Sequence, residues 1–209
     1  MTATDKTPML ELFTDFVCPW CYLGNAVLTQ FTAKETLTVR RTPFPLHPDT
    51  PPEGLPLAEL LPGRDLGDIH RKLYAVMDEL GLEHGERRYT YNSRLAQELA
   101  LWADTQREGR PLDALLYRAY FVHDQNLADS AVLLPLVEQA GLDVAEAEQV
   151  LQTRRHSEDV DEAWARCRRY GINSVPSYVM GGYLSSGFMP LADFQRFVDF
   201  VREKAESDN

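Results

Sequence analysis

Between Met9 and Phe16, apolar side chains fall on both faces, with Leu10, Leu12 and Phe16 on one and Met9 and Phe13 on the other. This pattern predicts a strand buried on both sides. The period then changes: from Trp20 to Thr32, Leu23, Val27, Leu28 and Phe31 recur at helical spacing, and Pro19 suits a first helical position. Leu37 to Thr42, rich in β-branched residues, predicts a second strand, after which Pro43, Pro45, Pro48, Pro51, Pro52 and Pro56 exclude regular structure. The next hundred residues carry almost no strand signal. They show helical stripes at Ile69, Leu73, Val76 and Leu80, at Leu95, Leu99 and Trp102, at Leu112, Leu115, Leu116 and Ala119, and at Leu133, Leu136, Val137 and Ala140. Gly81, Gly109 and Gly141 follow three of them as helix stops. A stripe of Val160, Trp164 and Cys167 ends at Gly171. Ser177 to Met180, Gly181-Gly182 and Tyr183 to Ser185 then read as a hairpin, and Phe194, Phe197, Val198 and Val201 mark a last helix.

The order β-α-β, helical block, helix, hairpin, helix is that of an α/β chain with a thioredoxin-like fold and a large all-helical insertion. The predicted division is residues 1–56 for the first part of the thioredoxin-like domain, 57–155 for the insertion and 156–209 for the second part, the two flanks sharing one sheet.

The chain has 209 residues, 44% apolar and 25% charged, with a net charge of −11. That balance is ordinary for a soluble globular protein and offers no basic stripe to nucleic acid or to an anionic membrane. No apolar run reaches the length of a membrane-spanning helix, and Met1 to Pro8 has no basic region leading into an apolar stretch, so no export signal is read. The expectation is a cytoplasmic protein.

Three cysteines are too few for a secreted disulfide framework, and two of them stand in Cys18-Pro19-Trp20-Cys21. Thiol–disulfide exchange needs one thiolate to attack and a second thiol to resolve the mixed disulfide. Two intervening residues at a helix start place the first sulfur beside unpaired backbone N–H groups and the positive helix end, which favour a thiolate, and the second one turn along. Cys18 is thus the expected attacking residue, open to an incoming chain, and Cys21 the less exposed resolving residue. The same spacing occurs in zinc sites, but four ligands would be needed. Only Cys167 and the scattered His47, His70, His84, His123 and His156 remain, so no metal is expected. Trp20 stands where a histidine would add positive charge beside the thiolate, which predicts a less oxidising disulfide. It is read either as a packing aromatic or as a grip on apolar substrate.

Cys18-Pro19-Trp20-Cys21-Tyr22-Leu23-Gly24 and Gly171-Ile172-Asn173-Ser174-Val175-Pro176-Ser177-Tyr178 together resemble the DsbA-like family, most closely its FrnE-like branch. Pro43-Phe44-Pro45-Leu46-His47-Pro48 and Ala119-Tyr120-Phe121 are similar to that branch's insertion. The resemblance implies protein dithiol or disulfide substrates, with Pro19, Trp20, Val175 and Pro176 contacting them. It makes Val175-Pro176 a cis bond facing the cysteines, whereas the residues alone read as a trans bond opening a strand. Ala96-Gln97 stands where related chains often carry Ala-His, which weakens an isomerase role.

The reading is therefore an intracellular thiol–disulfide oxidoreductase of reductase or isomerase type, monomeric or homodimeric. It requires no metal or organic cofactor and has glutathione as a candidate reductant. One rival is a glutathione-dependent isomerase or transferase of the hydroxychromene-carboxylate isomerase and kappa class, which usually places serine at Cys18. Another is a peptide-binding module in which the thiols are incidental. Cys167 reads as a buried small hydrophobe and Asp15 as a solvated or locally capping carboxylate, or else a proton acceptor near Cys21. Arg154, Arg155, Arg166, Arg168 and Arg169, interleaved with Glu158, Asp159, Asp161 and Glu162, read as a solvated, salt-bridged helix face.

Overall fold

The doubly apolar pattern at the chain start becomes β1 (Leu10–Thr14), buried along its whole length at the centre of a four-stranded sheet. This computed structural model describes residues 8–106 and 111–207; Gly109 and residues 1–7, where a helix stop and a missing leader were read, lie outside them. β1 runs parallel to β2 (Val39–Pro43) and antiparallel to β5 (Ser177–Met180), which pairs with the edge strand β6 (Tyr183–Ser186). Gly181 and Gly182 both take positive φ, as the tight turn between β5 and β6 requires. The parallel pair is joined by α1 (Pro19–Thr32), with proline in its first turn.

Between β2 and α8 (Ser157–Arg169) come β3 (Leu55–Pro56), α2 (Leu57–Leu60), α3 (Leu66–Glu79), β4 (Tyr89–Thr90), α4 (Arg94–Asp104), α5 (Pro111–Phe121), α6 (Ser130–Gln139) and α7 (Val144–Thr153); α9 (Leu191–Ser207) follows β6. Asp65, Asp129 and Asp143 cap α3, α6 and α7 by accepting from backbone N–H groups in the first turn. Gly81, Gly141 and Gly171 adopt positive φ at helix ends, as read. The helical pattern did not show the antiparallel contact of β3 with β4, each only two residues long and so without a period to detect. Nor did it show α7, whose buried face consists of Ala147, Val150 and Leu151.

Two apolar clusters flank the sheet. One joins Leu10, Leu12, Leu28, Phe31, Tyr178, Phe194 and Val198 where α1 meets α9. The other runs from Phe13, Cys18 and Cys21 through Tyr22 and Tyr117 into the helical segment.

The basic run on and before α8 differs from expectation. Arg169 does pair with surface Glu162, but Arg166 forks onto buried Glu11 of β1 at 2.6 and 2.7 Å, and Arg154 forks onto buried Glu98 of α4 at 2.7 and 2.6 Å. Burial pushes the Glu11 carboxyl up, but Arg166, Thr42 and Arg40 outweigh it and leave that group below the usual carboxylate range. Both buried carboxylates are therefore compensated across elements distant in sequence.

Candidate active site

Cys18 is the N-cap of α1, in extended backbone conformation, and makes no side-chain cap. Cys21 lies in the first turn, and its N–H donates to the Cys18 carbonyl at 3.1 Å. All three cysteines are reduced. The side chains of Cys18 and Cys21 are within hydrogen-bonding reach, so the helix start brings the two sulfurs together.

The Val175–Pro176 peptide is cis. It opens β5 beside β1, and the Cys18 Sγ donates to the Val175 carbonyl at 3.4 Å. Cys18, Cys21, Val175 and Pro176 therefore share one site. The expected openness of Cys18 is corrected: it is 3% exposed and Cys21 2%, because the Cys18 thiol is turned onto the Val175 backbone. Trp20, two residues on, is 44% exposed, with its ring 6.2 Å from that of Phe188 in the segment after β6. These two aromatics form an apolar rim beside the sulfurs.

Electrostatics separate the second cysteine from bulk water. Burial, then the hydrogen bond and charge of Cys18, push the Cys21 thiol well above the usual thiol range, while the Thr14 hydroxyl and the Asp15 backbone N–H oppose the rise. Thr14, the last residue of β1, shares a hydrogen bond with the Tyr117 hydroxyl of α5 at 2.7 Å. Tyr22 stacks on Phe121 with ring centroids 5.1 Å apart, fastening α1 to the same helix. Burial also raises the Tyr117 and Tyr178 phenols, with the nearby sulfurs adding to it.

Asp15 is neither solvated nor aimed at the sulfurs. Fully buried, it accepts from the N–H groups of Val17 at 3.1 Å and Leu46 at 3.0 Å and from the Gln97 side-chain amide at 3.2 Å, so local capping is its observed work. Desolvation pushes its carboxyl up to about 6, against the backbone N–H groups of Leu46 and Val17 and the Ser93 hydroxyl. Gln97, noted as a departure from the related pattern, also donates to Phe44 and Ser93 and accepts from the Trp164 indole at 2.9 Å, so it ties α4 and α8 to the loop before Cys18.

Cys167 is buried, with its Sγ 3.4 Å from the Pro43 carbonyl and its thiol raised to about 11 by burial, as an inert packing residue should be. His84 stacks on Tyr74 and bonds Asp78, and His156 bonds Asp159. Among the described residues, no three His, Cys, Asp or Glu side chains are grouped to hold a metal ion. No helix among them is long and apolar enough to cross a membrane.

Thr14, Tyr117 and Tyr178 were missed as site residues. Only the position of Thr14, immediately before Asp15 and four residues before Cys18, hinted at proximity.

Residues 9–199 match the DSBA-like thioredoxin domain. The chain belongs to that family. Among solved structures, this DsbA-like protein is similar to a probable DsbA oxidoreductase from Streptomyces coelicolor, at 23% identity over 94% of this chain and 90% of that one, with a TM-score of 0.86. It is similar to a 2-hydroxychromene-2-carboxylate isomerase at 16% identity over 96% and 99%, with a TM-score of 0.75. A cytosolic disulfide reductase, DsbM, from Pseudomonas aeruginosa with glutathione matches at 18% identity over 96% and 98%, with a TM-score of 0.62. These likenesses establish that the DsbA-like protein has the α/β, thioredoxin-like fold with substantial helical content read from its pattern.

Proposed function

We propose that this DsbA-like protein is a thiol–disulfide oxidoreductase of the FrnE-like branch, acting in the cytoplasm as a reductase or isomerase. Its helical segment, residues 57–155, forms a second domain. Cys18 attacks a substrate disulfide, Cys21 resolves the mixed disulfide, and Val175 and Pro176 receive the substrate backbone beside the Pro19–Trp20 rim. The observation that carries the reading is the meeting of two reduced cysteines at a helix start with the Val175 carbonyl, 3.4 Å from the leading sulfur. An incoming chain takes the place of that carbonyl contact, which exposes Cys18 as it docks. No metal or organic cofactor takes part, and glutathione, present in the DsbM relative, serves as reductant.

Insulin-disulfide reduction with glutathione, measured beside glutathione conjugation, tests the reading. Activity in the first assay, lost in Cys18→Ser and converted in Cys21→Ser to a trapped mixed disulfide, supports it. Conjugation alone assigns the protein to the isomerase or transferase class. Peptide binding that survives loss of both cysteines, without disulfide reduction, makes it a binding module.

A further inference from the structure

The 23 residues from Tyr170 to Ala192 hold no Asp, Glu, Lys or Arg, in a chain that is 25% charged and carries a net charge of −11. The β5–β6 hairpin lies wholly inside this run. β6 ends the sheet and pairs with β5 alone, so the backbone N–H and C=O groups along its outer side have no strand beside them. Edges left in that state recruit further strands, and monomeric proteins guard them with lysine, proline or a covering element. The opposite edge, β2, is guarded: it carries Arg40 and Arg41, ends in Pro43 and lies against α8. β6 is bare. Neither charge nor proline stands in Tyr183-Leu184-Ser185-Ser186, and all but Ser185 are exposed. Leu184 is 52% exposed, and the Tyr183 ring meets that of exposed Phe200 of α9 with centroids 4.9 Å apart. Alternation puts Leu184 on the other face, beside half-buried Val179, so the edge presents an apolar group on each face.

An extended client chain and a second copy of the protein are the two candidates for this edge, and the register separates them. Tyr183 and Leu184 pair with Met180 and Val179 at the turn end of the hairpin, whereas the cis peptide and Cys18 lie beyond Ser177 at the other end. A client held by its cysteine reaches Ser186 first and the apolar residues last. A second copy has no such lead to follow: antiparallel pairing of a strand with itself is two-fold symmetric, so each edge satisfies the other. The charge pattern agrees. Two chains of −11 repel across most of their surfaces, and a neutral strip is where they approach with least repulsion.

We propose that β6 is a homodimer contact: two copies join edge to edge about a two-fold axis, their sheets become continuous, and Tyr183, Leu184 and Phe200 close over the seam. Both cysteine pairs stay open, one beyond each Ser186 end. A contact built on a four-residue strand is small, so the dimer is reversible rather than obligate.

Analytical ultracentrifugation of the reduced full chain from about 1 to about 500 μM, the span in which small interfaces assemble, is expected to show a monomer–dimer equilibrium. Leu184→Lys sets a like charge on each edge. It is expected to weaken association by about tenfold or more while unfolding and thiol exchange stay as in the unaltered protein. Tyr89→Lys is the control: Tyr89 is exposed like Tyr183 but lies in β4, so this variant is expected to dimerise normally. Added salt is expected to strengthen the pairing, because it screens repulsion between two acidic copies and the seam contains no ion pair to weaken. A chain that stays monomeric throughout, a dimer unaffected by Leu184→Lys, an equal loss in Tyr89→Lys, or weaker pairing at higher salt overturns the proposal. So does saturable binding of an extended apolar peptide, abolished by Leu184→Lys, to a chain that does not self-associate; that outcome assigns the edge to clients.

Discussion

The two sides of the sheet are built on opposite plans. Where α1 meets α9, Leu28, Phe31, Phe194 and Val198 close a dry cluster whose one polar tip is the Tyr178 hydroxyl. Where α1 faces α5, beside the Gln97 end of α4, the apolar packing is threaded with Thr14, Asp15, Gln97 and Tyr117, all buried and all hydrogen-bonded. Burial of apolar area stabilises without direction, so the first side needs only shape. Buried polar groups need specific partners, so the second side costs more and specifies more. The cysteine pair belongs to the second side, although its helix is anchored by the first.

The largest test of this contrast is Phe194→Ala. Its ring meets Phe31 edge-on at 5.0 Å, and truncation is expected to cost about 3–5 kcal/mol in denaturant unfolding, while the folded fraction keeps its thiol exchange. A loss of exchange out of proportion to unfolding would mean that the two sides are not separable.

Asp15 gives the polar side a pH signature. Its folded-state value of about 6 lies above the 3.8 of an ordinary aspartate side chain, so the native state binds the proton more tightly than the unfolded chain. Stability is therefore fully present below about pH 4 and falls as pH rises to 6, by about 3 kcal/mol for that one group. Asp15→Asn is expected to flatten this window in unfolding curves measured from pH 4 to 7. An unaltered slope would show that the burial of Asp15 is relieved in solution.

Gly24→Ala probes the seam between the sides. A Cβ there lies 2.7 Å from the Tyr178 hydroxyl and 3.6 Å from Pro176, so about 1–3 kcal/mol of destabilisation is expected, with slower exchange because the cis-proline loop shifts. Trp20→Ala belongs to neither cluster. Being 44% exposed, it is expected to change stability by less than about 0.5 kcal/mol yet to raise KM for apolar peptide disulfides about fivefold. An unchanged KM makes Trp20 a packing residue only.

Much of this was legible along the chain. The double-faced apolar run, the helix beginning at Pro19 and the Gly181-Gly182 hairpin announced β1, α1, β5 and β6 because each has a local period or turn requirement. β3 and β4 escaped because two residues carry no period, and the long reach of Arg154 and Arg166 escaped because charge interleaving looks the same whether an arginine meets Glu162 beside it or Glu11 in another element.

By itself, the order of residues determined that two cysteines stand at a helix start, since spacing and proline set that geometry within four residues. Only the tertiary structure decided that Cys18 turns onto Val175, that Asp15 loses its water, and that Thr14 meets Tyr117 of α5. Those contacts join positions up to 157 residues apart. Desolvation and hydrogen-bond geometry depend on what the folded chain places around a group, and no local pattern encodes that.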